Sequence, residues 1–145
     1  MKVAMVGAHG STFDISIFAD VLRLIPEAKK AAKFDLIDLR NGRDFLKETG
    51  KYDVVVLCYI FLSTLEEQRN DPLYPLTRLD PTHLVSPLHS PETWRRRLLT
   101  CEAREILVFG YYTGSEVTGE YLGELSGYKQ TVIEEEQGTI WRYGR

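Results

Sequence analysis

The segment Val6-Gly7-Ala8-His9-Gly10-Ser11-Thr12 carries the strongest chemical signal in the chain. Glycine lets backbone N–H groups come close to a ligand. A helix starting just beyond would add free donors and a partial positive charge. Together these suit a phosphate, a carboxylate or a nucleoside. The spacing is not G-x-G-x-x-G, and no Gly-Lys-Ser/Thr follows, so neither a strict dinucleotide fingerprint nor a P-loop is present. An ordinary tight turn is the plain alternative. His9 stands in the same loop, where a neutral imidazole could take a proton near neutral pH, although most loop histidines are only polar surface.

Three further positions suit the same kind of ligand. Asp38 lies near the end of a strand-like segment, where a carboxylate can accept from both ribose hydroxyls; the alternative is a solvated strand-end charge. Asp44 could accept from an adenine amino group while Phe45 covers the ring face. Equally, Asp44 faces water while Phe45 and Leu46 pack a helix on the sheet. Cys58 and Tyr59 end the most apolar run, at one of the strand ends where such a ligand would lie. His83 and His89 could reach a cleft if their loop folds over it. With His9 and the two cysteines they have no metal-ligand spacing, so no metal site is expected.

The elements that must position these residues are legible in the hydrophobic pattern. Lys2 to Val6 reads as a buried strand running into the glycine loop. Phe13, Ile17, Phe18, Val21, Leu22 and Ile25 make a helical stripe that Pro26 ends, with a second helix over Glu27 to Lys33. Phe34 to Leu39 is a strand, Asn41-Gly42 a turn, and Arg43 to Glu48 a short helix closed by Gly50. Tyr52 to Tyr59 is the clearest strand, with a β-branched centre expected to be buried on both faces.

A long irregular insertion at about 62–90 carries four prolines. Ser90-Pro91 then starts a helix to about Glu102, with Ser90 as N-cap and Pro91 at the first helical position. Within it Arg95-Arg96-Arg97 cannot form one tight patch, because successive helical positions point about 100° apart, and the run reads as a solvated face flanking Trp94 and Leu98. Glu105 to Gly110 is a fourth parallel strand. A helix from about Ser115 to Leu125 follows, capped by Ser115. Tyr128 to Glu135 and Thr139 to Tyr143 form a C-terminal hairpin. Strands alternating with helices imply an α/β domain with a parallel, doubly wound sheet, in which ligands bind beyond the carboxyl ends of the strands.

Composition agrees with one domain spanning 1–145. The chain has 145 residues and a net charge of −3, which gives no footprint for sequence-independent nucleic-acid binding. Cys58 and Cys101 read as reduced core thiols. No apolar run approaches the roughly 20 residues needed to span a bilayer. Met1-Lys2 leads straight into a strand, and a cytoplasmic location without membrane contact is expected.

This ordered set resembles the class I S-adenosylmethionine (SAM) dependent methyltransferases. Lys2 to Val6 with Gly7 to Gly10 is similar to their first strand and cofactor loop. Asn41 to Leu46 followed by Tyr52 to Leu57 is similar to their adenine-side loop and fourth strand. Cys58 to Phe61 falls at the substrate side of that strand, and Tyr128 to Tyr143 is similar to their reversed terminal hairpin. The resemblance implies a three-layer Rossmann-like fold and methyl transfer from S-adenosyl-L-methionine to a substrate it does not specify. It implies cofactor contacts from Gly7, Ala8, His9, Gly10, Ser11, Asp38, Asp44, Phe45, Cys58 and Tyr59. The chain departs from the family in three ways. Ala4, Met5 and Val6 stand where an acidic residue usually precedes the loop. The loop has two glycines where three are common. One strand-helix unit is missing before Val54, so Asp38 and Asp44 cannot both be given their family roles. A nucleotide-binding module using NAD, and a non-catalytic assembly or binding protein, are the competing expectations. Tyr111, Tyr112, Tyr121, Tyr128, Trp141 and Tyr143 could furnish an interface for the latter, including that of a homodimer.

Overall fold

The computed structural model describes residues 1–7, 15–31, 33–38, 45–48, 50–58, 90–110 and 117–145, with the backbone alone for Ile15, Ser16, Ala31 and Asp38. In chain order the elements are β1 (Lys2–Gly7), α1 (Ile15–Leu24), α2 (Ala28–Ala31), β2 (Lys33–Asp38), a 3-10 turn (Phe45–Lys47), β3 (Val54–Cys58), α3 (Pro91–Cys101), β4 (Glu105–Gly110), α4 (Gly119–Leu122), β5 (Lys129–Glu135) and β6 (Gly138–Gly144). The chain is α/β, and its described residues form one mixed sheet of six strands, in the order β2-β1-β3-β4-β6-β5.

The first four strands are parallel, and β6 runs antiparallel to both β4 and β5. The expected hairpin is therefore present, and it is reversed in space: the last strand lies inside and the penultimate one forms the edge. β1 and β3 are buried along almost their whole length, as their continuous apolar runs require.

Strand alternation divides the core into two clusters. Val3, Met5, Val54 and Val56 join Ile17, Val21 and Ile25 from the α1 stripe on one face. Ala4, Val6, Val55 and Leu57 join Phe45, Trp94, Leu98 and Leu122 on the other. The chain steps from β1 to β2 in one direction and from β2 through β3 to β4 in the opposite one. Right-handed crossovers then require α1 and α3 to pack on opposite faces, and their core partners show that they do.

Local chemistry sets the ends of the elements. The Ser90 side chain accepts from Thr93 N, Pro91 opens α3, and Glu102 ends it in a left-handed conformation at φ 54°. β3 begins at Val54, two residues later than the pattern suggests, although Asp53 N already donates to Lys2 O of β1 at 2.8 Å. Tyr52 N donates to Cys101 O at 3.3 Å, and Lys2 N donates to Asp53 Oδ2 at 2.7 Å. α4 is shorter than expected, because Thr118 caps it and Gly123, at φ 64°, ends it. The alternative cap Ser115 and the insertion up to residue 89 lie outside the described residues. Among the described residues no helix is long and apolar enough to cross a membrane.

Candidate functional site

The carboxyl ends of β1 to β4 form one edge, and its geometry follows from register. Gly7 pairs with Asp38 at the ends of β1 and β2. Val6 pairs with Leu57, so the Gly7 row continues to Cys58. Cys58 pairs with Phe109, and Gly110 stands one residue further along β4. The connection leaving β1 goes to β2 on one side, while β3 occupies the other side. That is a topological switch point, the place where open α/β sheets bind ligands.

Three of the expected site residues, Gly7, Asp38 and Cys58, thus end adjacent strands. Ala8, His9, Gly10, Ser11, Asp44 and Tyr59 lie outside the described residues, as do His83, His89, Tyr111 and Tyr112. Cys58 is fully buried on the α1 face, with its Sγ 3.9 Å from Val56 O. Cys101 is buried as well, and neither cysteine is in a disulfide. Phe45 is fully buried; its ring stacks on Trp94 at a centroid distance of 6.3 Å. The guanidinium of Arg97 covers the same ring at 4.9 Å. Of the two roles open to Phe45, the one the structure displays is packing: it fastens the β2–β3 connection to α3.

Arg97 corrects the sequence expectation. The arginine run does not form one solvated face, because Arg97 is only 5% exposed. Its Nε donates to Phe45 O at 2.7 Å and its Nη2 to Gly50 O at 3.2 Å. Among the described residues no carboxylate pairs with it. Arg95 instead donates to Leu122 O at 2.9 Å and pairs with Glu92 at 3.4 Å. The legible signal was spacing: Trp94, Arg97, Leu98 and Cys101 stand at i, i+3, i+4 and i+7, the buried stripe of a helix. Arg97 therefore sets the position of the segment that leads from Asp44 toward β3. The neighbouring Trp94 Nε1 is buried without a hydrogen-bond partner among the described residues.

The proposed aromatic interface also changes. Trp141 and Tyr143 are buried in the core, because β6 lies inside the sheet and α4 covers that face. The Tyr143 hydroxyl donates to Gly123 O at 2.8 Å, has Gly119 O at 3.2 Å, and accepts from Gln130 Nε2 at 2.8 Å. Burial pushes the Tyr143 phenol above its ordinary 10.0, and burial likewise raises Tyr121 and the Cys101 thiol. A raised phenol contributes stability that is fully present below the unfolded value and is lost as pH rises through the folded one. Thermal stability of the wild type should therefore fall above pH 10. Tyr143→Phe should start about 1 kcal/mol less stable at neutral pH, having lost the hydroxyl's bonds. It should then lose less on further alkalinisation. Melting temperatures of both proteins across the alkaline range decide this; parallel curves would remove Tyr143 from the pH response.

In comparisons with known proteins, the chain matches no family model, no curated protein and no solved structure.

Proposed function

We propose that the carboxyl edge of β1 to β4 binds a nucleotide-type cofactor, and that the chain is a SAM-dependent methyltransferase-like protein with a three-layer Rossmann-like fold. The observation that carries this reading is the strand order β2-β1-β3-β4, with Gly7 and Asp38 in register beside the switch point. The reversed β5–β6 hairpin supports it, since it has the sense found in the family the sequence resembles. Two buried cysteines outside any disulfide suit a reducing, cytoplasmic setting.

In this reading the glycine loop Gly7 to Ser11 approaches the cofactor through its backbone, and one acidic residue, Asp38 or Asp44, takes the ribose or the adenine. S-adenosyl-L-methionine bound there would supply an activated methyl group for in-line transfer to a substrate nucleophile. The protein's contribution is mainly alignment. A base is needed only for a protonated nucleophile, and His9, Tyr59, His83 or His89 could supply it.

A second reading, a non-catalytic assembly protein, draws on the burial of Cys58 and Phe45, two residues assigned to cofactor contact that are already packed in the core. Isothermal titration calorimetry with SAM, S-adenosylhomocysteine and NAD separates the two. The expected result is binding of SAM and S-adenosylhomocysteine, abolished by Asp38→Ala or Gly10→Val. NAD binding alone would favour the nicotinamide alternative. Binding of none of the three would overturn the cofactor site and leave assembly as the working reading.

A further inference from the structure

The sheet ends in two edge strands, and each carries one exposed large apolar side chain: Leu36 on β2, 45% exposed, and Val132 on β5, 50% exposed. On β5 the run Lys129 to Val132 is exposed throughout, and among the described residues the strand pairs with β6 alone. An open edge of this kind offers a row of backbone donors and acceptors to another strand.

From the side chains along this edge we infer that β5 pairs antiparallel with β5 of a second copy of the chain, giving a homodimer with one continuous sheet. In an antiparallel pair, residues directly opposite share a face of the sheet. Two copies related by a twofold axis normal to the sheet must therefore centre their pairing on a residue. Centring on Val132 sets Lys129 against Glu135, Gln130 against Glu134, Thr131 against Ile133 and Val132 against itself, each contact occurring twice or on the axis. The exposed valines cover one another, and every charged residue within the strand meets a complementary group. Centring on Thr131 or Ile133 instead sets Lys129 against Ile133 or Gln137, and no opposite charges meet.

The participating groups retain capacity for a partner. Glu135 is already held by Arg23 at 2.7 Å through one carboxylate oxygen, Oε1. Lys129 has no ion-pair partner among the described residues. Gln130 uses one amide N–H on Tyr143 and keeps a second, while Glu134 accepts from Thr139 through Oε2 alone. The opposite edge lacks this match. Centred on Asp35, β2 would oppose aspartate to aspartate; centred on Leu36, it would set Phe34 against Asp38. The inference stands apart from the cofactor reading and does not depend on it.

Charge reversal tests it in the full-length chain. Sedimentation equilibrium should show a dimer for the wild type. Lys129→Glu and Glu135→Lys should each weaken the dimer about tenfold or more, because each homodimer then holds two like-charge pairs across the axis. An equimolar mixture of the two variants should recover the dimer as a heterodimer, since all its cross-axis pairs are again opposite. Circular dichroism serves as the folding control at exposed Lys129 and half-buried Glu135. Val132→Cys should also form an intermolecular disulfide under mild oxidation, while Leu36→Cys should not. A monomeric wild type, a dimer insensitive to both reversals, failure of the mixture to re-form the dimer, or cross-linking at Leu36→Cys in place of Val132→Cys would overturn the proposal.

Discussion

Gly119→Ala is expected to destabilise the fold by about 3 kcal/mol, against the sign that helix propensity gives. Gly119 is the first residue of α4, where alanine would ordinarily improve an exposed helix by up to about 1 kcal/mol. Here the position is buried, and a Cβ on Gly119 would fall far inside van der Waals contact with the Trp141 indole. The six-membered ring of the same indole lies against Gly110, where an added Cβ would again collide with it. Both rings of the Trp141 indole are thus packed against a glycine, and an added methyl at Gly119 can be relieved only by disturbing β6 or α4. Urea denaturation of the wild type and Gly119→Ala measures the loss. A double-mutant cycle with Trp141→Leu identifies the cause, because the smaller side chain frees the space and the alanine penalty should largely vanish. A stabilised Gly119→Ala would mean that α4 shifts freely on the sheet.

Arg97→Ala should cost a comparable amount, about 3 to 4 kcal/mol, for a different reason. The substitution removes two charge-assisted hydrogen bonds, to Phe45 O and Gly50 O, and the cation stacked on the Phe45 ring. It also leaves a cavity on the buried face of α3. Arg97→Lys should recover only part of the loss, since an ammonium lacks the planar fork that reaches two separate carbonyls and lies flat on a ring. Arg97→Met separates packing from hydrogen bonding, because it restores much of the volume without a donor. Chemical denaturation of the three variants should rank stability as wild type, then Lys, Met and Ala. A Met variant as stable as the wild type would show that the two hydrogen bonds carry no net stability. If the edge of β1 to β4 binds a cofactor through Asp44, Arg97→Ala should also weaken that binding, because Asp44 immediately precedes Phe45 in the chain and Arg97 holds the Phe45 carbonyl.

Much of the fold is written locally. The apolar runs of β1 and β3, the i, i+4 stripe of α1 and the Ser90-Pro91 start of α3 each specify an element from neighbours in sequence. Their physics is short-range: periodicity, a capping hydroxyl and a ring that fixes φ. The alternation of strands with helices also implied a mainly parallel sheet. By the same logic Gly7 and Asp38 were recognisable as lying at strand ends, and the structure sets them side by side in register.

Other features depend on partners distant in the chain. Arg97 reads locally as one of three solvated arginines, and only the arrival of Phe45 and Gly50 against α3 makes it a buried clamp. Trp141 and Tyr143 read as interface aromatics until β6 takes the place between β4 and β5, which puts them beneath α4. The fate of Phe45 was likewise undecided in the sequence, since its apolar ring suits a helix or a ligand equally well. Sequence by itself determined which segments become strands and helices, because that choice is made by local periodicity and capping. Tertiary structure alone decided strand order, and with it which polar groups are buried, which glycines must stay small and which edge remains open. Those properties belong to contacts between segments that the chain brings together only on folding.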